Sequence, residues 1–267
     1  MGVKKVVLFS PHGYVGGFLK ERLLKEPNIQ MYGMGRDSTY EKYEGDYDIL
    51  LYAAAVSKGS ADKYVQDNVV TAIAMMDFCR KHQIKRVIYL SSDSIYGDLH
   101  TDMATEEAVM VTPSLYGTTK YLAEKIVMES GLPYYIIRMP GIVGGGKRGV
   151  FLCRLIEKMR ENENIVLYNM DKEFNNVLHI DDLSEFILQL CVSGENGKNE
   201  VFLLGNTQKI RLREIVCYLK ELTHSESHIK NIDTEKKRCF TLDVSKAVGY
   251  GYSSRRITDI LQELCHL

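Results

Sequence analysis

Short apolar runs alternate with amphipathic stretches along the first half of the chain. The apolar runs have the length of buried strands, and they predict strands at Lys5–Phe9, Ile29–Gly33, Asp48–Ala53, Arg86–Leu90 and Tyr134–Arg138. Apolar positions at helical spacing between them predict helices at Gly16–Lys25, Tyr64–His82 and Leu115–Met128. This alternation is typical of an α/β fold in which helices cover both faces of a doubly wound parallel sheet.

The pattern is looser after Pro140 and indicates a second, smaller lobe. It predicts further helices and short strands at Val150–Arg160, Ile165–Tyr168, Val177–Ile180, Leu183–Cys191, 199–205, Leu212–Leu222 and from Thr258 onward. We expect one domain at 1–140, with 175–205 packing back on it, and a small α/β lobe made of 141–174 and 206–267. Because the interval from Gly33 to Asp48 is too short for a helix and a strand, we expect the third strand to be rudimentary or absent.

Composition excludes several classes of partner. The chain has 267 residues, 45% of them hydrophobic and 26% charged, and a formal net charge of -1. This charge gives no broad basic field for nucleic acid or a membrane surface, and no apolar run is long enough to span a bilayer. The cysteines stand singly without zinc spacing, which favours reduced thiols and no metal. We expect a soluble cytoplasmic protein.

The segment from Ser10 to Gly16, SPHGYVG, joins the first predicted strand to the first predicted helix. It keeps the second and third glycines of a G-x-x-G-x-x-G spacing, and a serine stands at the first. A strand, tight turn and helix of this kind can hold a dinucleotide pyrophosphate at the helix N-terminus. A plain strand–helix turn is the alternative, because the motif is degenerate and Pro11 removes one N–H donor.

Two further motifs carry candidate chemistry. Tyr116 and Lys120 are four residues apart at the start of a predicted helix, so they project from one face. A neighbouring ammonium is expected to lower the pKa of the phenol and to let it exchange a proton with a hydroxyl or carbonyl oxygen; a surface pair is the alternative. Ser91 to Ser94 follow a predicted central strand and place hydroxyls and the Asp93 carboxylate at its end, either in a binding crevice or in a simple turn.

These three motifs, in this order, resemble the extended short-chain dehydrogenases/reductases, and within them the NAD(P)-dependent epimerase/dehydratase family. Further segments across the chain resemble that family: YDILLYAAA, DNVVTAIAMMDFC, IIRMPGIVGGG, NNVLHIDDLSEFI and FTLDVSKAVGYGY. The resemblance implies a Rossmann-type domain, a nicotinamide cofactor and a nucleotide-sugar substrate.

The resemblance also assigns roles to individual residues. It implies catalysis by Ser92, Tyr116 and Lys120, without a metal. The residues that it places at the cofactor are Ser10, His12, Gly13, Tyr14, Val15, Gly16, Arg36, Ala53, Ala54, Ala55, Asn68, Tyr116, Lys120, Met139 and Pro140. At the substrate it places Asp93, Ser94 and Arg238. The family often has a phosphate-binding arginine before the His-Val-Asp-Asp segment, where this chain offers Asn175 instead. Either Arg148 or Lys147 takes over that contact, or the substrate is not a nucleotide sugar.

Departures from the family pattern bear on cofactor and reaction. The family's ribose-binding position aligns near Met34, with Arg36 just beyond it. An arginine can pair with a 2′-phosphate, so we expect NADP. A solvated loop arginine, with Asp37 at the ribose of NAD, is the alternative. Asp93-Ser94 lacks the Asp-Glu pair of the family's dehydratases, which leaves ketoreduction or 4-epimerisation through a transient keto sugar. The short connection between Gly33 and Asp48 and the LDVSK segment most resemble those of 4-keto-6-deoxy nucleotide-sugar reductases.

The serine at position 10 leaves a third possibility open, a non-catalytic relative that senses NADP(H). The motif alone predicts that Ser10→Gly preserves or tightens cofactor binding. The resemblance also implies that the helices around Tyr64–His82 and Leu115–Met128 pair in a homodimer.

Overall fold

The computed structural model describes residues 2–35, 43–146, 149–193, 198–235 and 239–266. Two short helical pieces depart from α geometry, a π-helix at Val65–Val70 and a 3-10 helix at Asp93–Tyr96. In chain order the other elements are β1 (Lys4–Phe9), α1 (Tyr14–Leu24), β2 (Ile29–Met34), β3 (Ile49–Tyr52), α2 (Ala61–Tyr64), α3 (Thr71–Lys81), β4 (Arg86–Leu90), β5 (Met103–Ala104), α4 (Leu115–Met128), β6 (Tyr134–Arg138), β7 (Gly141–Val143), α5 (Phe151–Arg160), β8 (Ile165–Tyr168), β9 (Glu173–Phe174), β10 (Val177–His179), α6 (Ile180–Val192), β11 (Glu200–Leu203), β12 (Ile210–Arg211), α7 (Leu212–Thr223), β13 (Ile229–Ile232), β14 (Thr241–Leu242), α8 (Ser245–Gly249) and α9 (Ile257–His266).

The main sheet has six strands in the order β2, β1, β3, β4, β6, β11. The β1–β2, β1–β3, β3–β4 and β4–β6 pairs are parallel. After β2 the chain returns to the other side of β1, so the winding reverses between β1 and β3. A crevice at the carboxyl ends of the strands is expected at such a reversal. The predicted doubly wound α/β fold is confirmed. Residues 43–48, the described part of the β2–β3 connection, form no strand.

Helices bury apolar side chains on both faces of this sheet. Met75 and Phe78 of α3 and Val127 of α4 belong to one core cluster with the strands. On the other face, α1 contacts β1 and β2 and buries Leu19 and Leu23. Each fully buried side chain of this size contributes about 1.5–3 kcal/mol to folding. Packing on both faces therefore fixes the positions of the strand ends that the site uses.

The chain divides into two units, each made of three separated segments. The first unit contains Met1–Gly97, Thr112–Arg138 and Ser184–Phe202, and the second contains Asp98–Val111, Met139–Leu183 and Leu203–Leu267. This division differs from the predicted domains, because it assigns 98–111 and 175–183 to the second unit. Strand pairing explains both differences, since β5 pairs with β14 and β10 pairs with β7.

The second unit has its own core and short sheets. Its apolar cluster is formed by side chains of α5, α7 and α9, including Ile156, Leu219 and Ile260. Besides β5–β14 and β7–β10, its strands form the pairs β8–β13 and β9–β12.

The cysteines and the helices bear on the expected cellular compartment. All six cysteines lie in the described residues, and all six are free. Among the described helices, none is both long and apolar enough to cross a bilayer. The cytoplasmic location stays a prediction.

Candidate active site

The turn after β1 brings a backbone carbonyl against the first turn of α1. A Cβ built on Gly16 would overlap the Ser10 carbonyl oxygen and would stand 2.9 Å from the Ser10 carbonyl carbon. Gly16 therefore allows the helix to start directly beside the strand end. The turn also rests on β2, because the Ser10 N–H donates to the Met34 carbonyl oxygen at 2.8 Å.

The N-terminus of α1 is open to an anion. Gly13 caps the helix and has no side chain to bond its amides, and no acidic residue stands in the first turn. The first N–H groups of a helix have no partner within the helix, and the helix dipole adds partial positive charge there. We call the space beside Gly16, which a Cβ would fill, the cradle. The cradle and the open helix N-terminus together fit the pyrophosphate of a dinucleotide.

Other residues predicted at the cofactor lie in the turn after β1 or directly after β3 and β6. His12 and Gly13 are exposed in the turn, and Tyr14 and Val15 are partly exposed in the first turn of α1. The segment after β3 meets this region, because the Ala53 N–H donates to the Phe9 carbonyl oxygen at 3.3 Å. After β3, Ala54 is buried and Ala55 is exposed. After β6, Met139 is partly exposed and Pro140 is buried.

Ser92 lies just beyond β4, at the carboxyl end of the sheet. Its hydroxyl oxygen accepts a hydrogen bond from the Ser94 N–H at 3.1 Å and lies 3.1 Å from the Ser94 hydroxyl and 3.4 Å from an Asp93 carboxylate oxygen. Ser92 is buried, whereas Asp93 and Ser94 are partly exposed. The backbone of the 3-10 helix therefore fixes the orientation of the Ser92 hydroxyl.

Helix α4 approaches this segment closely at a glycine. A Cβ on Gly117 would overlap the Ser94 carbonyl oxygen and would lie 2.9 Å from the carbonyl carbon. Ser114 caps the helix by accepting a hydrogen bond from the Gly117 N–H at 3.2 Å. The close approach brings Tyr116 to the end of β4, where its hydroxyl is hydrogen-bonded to the Ser92 side chain.

Burial controls the protonation of Tyr116. Burial raises the pKa of the phenol, the hydrogen bond to Ser92 opposes the rise, and the negative charge of Asp93 adds to it. Lys120 is not among the groups that shift this pKa. The prediction that Lys120 lowers the pKa of Tyr116 is therefore wrong in this structure, and at neutral pH the phenol keeps its proton.

Lys120 is directed at the strand beneath the helix. Its ammonium donates to the Leu90 carbonyl oxygen at 2.6 Å and lies 4.1 Å from the centroid of the Tyr89 ring. The residue is 1% exposed. Burial lowers the pKa of Lys120 to about 7, and the Glu124 carboxylate opposes this shift. The amine is thus held in place by β4 and titrates near neutral pH.

Asn68 connects the segment after β3 to α4. Its side-chain oxygen accepts from the Val56 N–H at 3.0 Å, and its amide donates to the Val56 carbonyl at 3.2 Å and to the Thr119 hydroxyl at 3.1 Å. The Thr119 hydroxyl in turn donates to the Tyr116 carbonyl oxygen at 2.9 Å. Asn68 therefore supports the helical turn that carries Tyr116.

Sequence reasoning missed two contributors to this region. The Tyr64 ring lies 6.1 Å from the Tyr116 ring, centroid to centroid, and its hydroxyl donates to the Ser57 carbonyl at 3.2 Å. Glu124 forms a fully buried ion pair with Arg138 at 2.8 Å. The spacing of Tyr116, Lys120 and Glu124 at intervals of four was a usable signal, because it places all three on one helix face.

Asn175 does not stand free for a substrate. It is fully buried in the second unit, where its amide donates to the Asn206 carbonyl at 3.1 Å and the Leu242 carbonyl at 2.9 Å. Its oxygen accepts from the Leu242 N–H at 2.8 Å. The predicted substrate contact is wrong here, because both amide hydrogens are used by the backbone. Arg36, Arg148 and Arg238, also predicted in the site, lie outside the described residues.

The second unit contains a cavity of about 1050 Å³. Its described lining includes the carboxylates of Asp102, Asp171, Asp233 and Glu235, and Lys172, which pairs with Asp102 at 2.9 Å. Carboxylates outnumber cations in this described lining, so the described part of the cavity does not by itself favour a phosphate.

Comparisons with known proteins point to one family. The profile described as "NAD dependent epimerase/dehydratase family" matches residues 41–205, more than half of the chain. The UDP-glucose 4-epimerase of Corynebacterium glutamicum is 24% identical over 67% of this chain and 62% of its own length. A trifunctional UDP-glucose 4,6-dehydratase, 3,5-epimerase and UDP-4-keto-L-rhamnose reductase of Arabidopsis thaliana is 25% identical over 79% of this chain and 34% of its own. The chain thus spans less than two thirds of these curated relatives.

A solved structure resembles the fold over almost the whole chain. The UDP-glucuronic acid 4-epimerase of Bacillus cereus in complex with NAD has a TM-score of 0.82 and 18% identity, with 98% of this chain and 97% of that chain covered. At this identity the likeness shows a shared fold.

Proposed function

Because this chain belongs to the NAD dependent epimerase/dehydratase family, we propose that it is a nicotinamide-dependent oxidoreductase acting on a nucleotide sugar. The membership confirms the resemblance that the motifs indicated. The observation that carries the proposal is the placement of the Ser92 and Tyr116 side chains together at the carboxyl edge of the sheet, where Gly117 lets α4 approach the segment after β4. A donor pair at that edge suits a reacting oxygen held beside a dinucleotide.

Each residue of the pair has a separate task in this proposal. A bound nicotinamide dinucleotide supplies hydride transfer to or from a sugar carbon. The Ser92 hydroxyl orients the sugar oxygen, and the Tyr116 hydroxyl gives that oxygen a proton or takes one from it. Lys120 holds the nicotinamide ribose, as the family resemblance implies, and Asn68 keeps the Tyr116 turn in position.

Carbonyl reduction is the first candidate reaction. Since burial raises the pKa of Tyr116, the phenol is protonated at neutral pH and is ready to act as a general acid. Reduction of a keto sugar needs such an acid. The second candidate is 4-epimerisation, which is supported by the 4-epimerase among the curated relatives and by the 4-epimerase that shares the fold.

NAD and NADP are both candidate cofactors. NAD is supported by its presence in the Bacillus cereus structure that shares the fold. NADP is supported by Arg36 in the sequence. Parallel calorimetric titrations with NADH and NADPH decide between them, and tighter binding of NADPH that is lost in Arg36→Ala would establish the role of the arginine.

The experiment that tests the function combines a substrate panel with a matched pair of tyrosine variants. Wild-type protein is incubated with NADH or NADPH and 4-keto nucleotide sugars, and separately with NAD+ or NADP+ and UDP-glucose or UDP-glucuronic acid, because 4-epimerisation begins with oxidation of the sugar. Loss of absorbance at 340 nm in the first incubation indicates a reductase. A change of sugar configuration in the NMR spectrum of the second incubation, without net formation of reduced cofactor, indicates an epimerase.

Tyr116→Phe is expected to lose most turnover while keeping its cofactor affinity, because only the transferable proton is removed. Tyr121→Phe, on the same helix, is the control and is expected to remain active. Near-normal activity in Tyr116→Phe contradicts the proposal. Cofactor binding without turnover on any substrate favours the NADP(H)-sensing alternative.

We also propose a homodimer formed through the two helical segments beside the site. Val65, Val70 and Ile73 on one segment and Leu115 and Leu122 on α4 are exposed apolar side chains, and the segments contact each other in the first unit. Burying such side chains against a second copy removes apolar surface from water. Light scattering is expected to give twice the monomer mass, and a monomer at micromolar concentration would rule the dimer out.

A further inference from the structure

Ser10 has a backbone conformation that usually belongs to glycine. Its φ is 70°, in the left-handed region that costs a residue with a side chain free energy. The backbone contacts of the turn need only the main chain of this residue: its N–H bonds Met34, and its carbonyl lies against Gly16. A glycine would make the same bend without strain. The bend itself therefore does not require a side chain at this position.

The Ser10 hydroxyl points into the turn. Its oxygen lies 3.5 Å from the point where a Cβ on Gly13 would stand. Gly13 is the cap of α1, so the hydroxyl lies beside the open N-terminus of that helix. Ser10 is partly exposed.

The same turn has lost a donor at the next position. Pro11 has no N–H, so the chain between β1 and α1 offers an anion one hydrogen-bond donor fewer than another residue would. An O–H group that donates to a phosphate oxygen forms a short, charge-assisted bond. The serine thus returns a donor to the turn.

We infer that the Ser10 hydroxyl donates a hydrogen bond to the pyrophosphate of the bound dinucleotide. The inference rests on the proposed function, because it needs a dinucleotide at this turn. It reverses the expectation from the motif alone, in which glycine at position 10 preserves or tightens binding. The serine is then a ligand-binding side chain of this chain, and its strained backbone is the cost of placing the hydroxyl.

The test uses two variants that separate the hydroxyl from the backbone. Ser10→Ala keeps a Cβ and the unfavourable φ and loses only the hydroxyl. Ser10→Gly loses the hydroxyl and also relieves the backbone, and it is expected to fold at least as stably as the wild type. Binding is measured by calorimetry with three probes: NADH, ADP-ribose, which keeps the pyrophosphate, and adenosine, which lacks it.

Both variants are expected to bind NADH and ADP-ribose about 10-fold more weakly, equivalent to about 1.4 kcal/mol, and adenosine unchanged. Equal or tighter binding of ADP-ribose by Ser10→Gly overturns the inference and leaves the proposed function intact. An equal loss for adenosine also overturns it, because the pyrophosphate would then not be the partner. Absence of NADH and NADPH binding in the wild type ends both proposals.

Discussion

Adjacent glycines in α1 offer a direct test of the turn that opens the site. In Gly16→Ala the new Cβ meets the Ser10 carbonyl group, whereas nothing lies within 4 Å of a Cβ on Gly17. Both positions are helical, so the intrinsic preference of a helix for alanine over glycine is the same in each. The difference between the two variants therefore measures the effect of the close contact between the end of β1 and α1.

The magnitudes follow from this contrast. Gly17→Ala gains about 0.5–1 kcal/mol from helix propensity. Gly16→Ala has the same gain but overpacks a site, at a cost of about 1–3 kcal/mol, and we expect the upper value because a backbone carbonyl cannot rotate away. The net loss in Gly16→Ala is then about 2 kcal/mol, or roughly 4–8 °C in Tm for a chain of this size.

Urea unfolding and thermal melts measure both variants side by side. Gly17→Ala is expected to melt slightly above the wild type and to keep its affinity for NADH. Gly16→Ala is expected to melt below it and to bind NADH weakly, because the turn must shift. If both variants were equally stable, the Ser10 carbonyl would not lie against Gly16, and the cradle described above would be refuted.

Three further predictions concern buried polar groups. Glu124→Gln is expected to lower the free energy of unfolding by about 3–5 kcal/mol, because it leaves the buried Arg138 cation without its counter-charge; urea unfolding checks this, and a loss below about 1 kcal/mol would contradict it. For Lys120, the pKa is about 7 in the folded state and 10.5 for an unperturbed lysine, so stability is expected to rise between those pH values, where the unfolded chain binds the proton that the folded chain lacks. Melts of wild type and Lys120→Met across this range check it, and equal slopes would refute it. Asn175→Ala is expected to cost about 3 kcal/mol, because buried backbone groups of Leu242 lose their partners, while NADH affinity stays unchanged in titration; a selective loss of substrate affinity without a loss of stability would restore the substrate role.

The sequence predicted those parts of the fold that depend on local patterns. The strands at Arg86–Leu90 and Tyr134–Arg138 and the helix at Leu115–Met128 have the predicted bounds, because continuous apolar runs and a capped amphipathic stretch are strong local signals. The π-helix at Val65–Val70 was not predictable in this way. Asn68 within it bonds to Val56 and Thr119, and such contacts are not visible in the local apolar pattern.

The site shows the same division between local and distant effects. Motif order placed Ser92 beside Tyr116, and the structure joins them through a hydrogen bond. The expected lowering of the Tyr116 pKa by Lys120 is not found, because burial of the phenol raises this pKa, and helix spacing says nothing about that burial. The predicted substrate contact of Asn175 was wrong because its hydrogen-bond partners Asn206 and Leu242 come from later segments of the chain.

The division of each unit into separated segments has a consequence for how the protein is made. Strand β11 completes the sheet beside β6, and Phe202 packs 5.6 Å from Tyr135, centroid to centroid. These residues leave the ribosome only after β7 to β10 have been synthesised. Until then the β6 edge of the nascent sheet is unpaired, and such edges readily pair with other chains. We therefore expect nascent chains that end before Phe202 to be more prone to mispairing than chains that include β11.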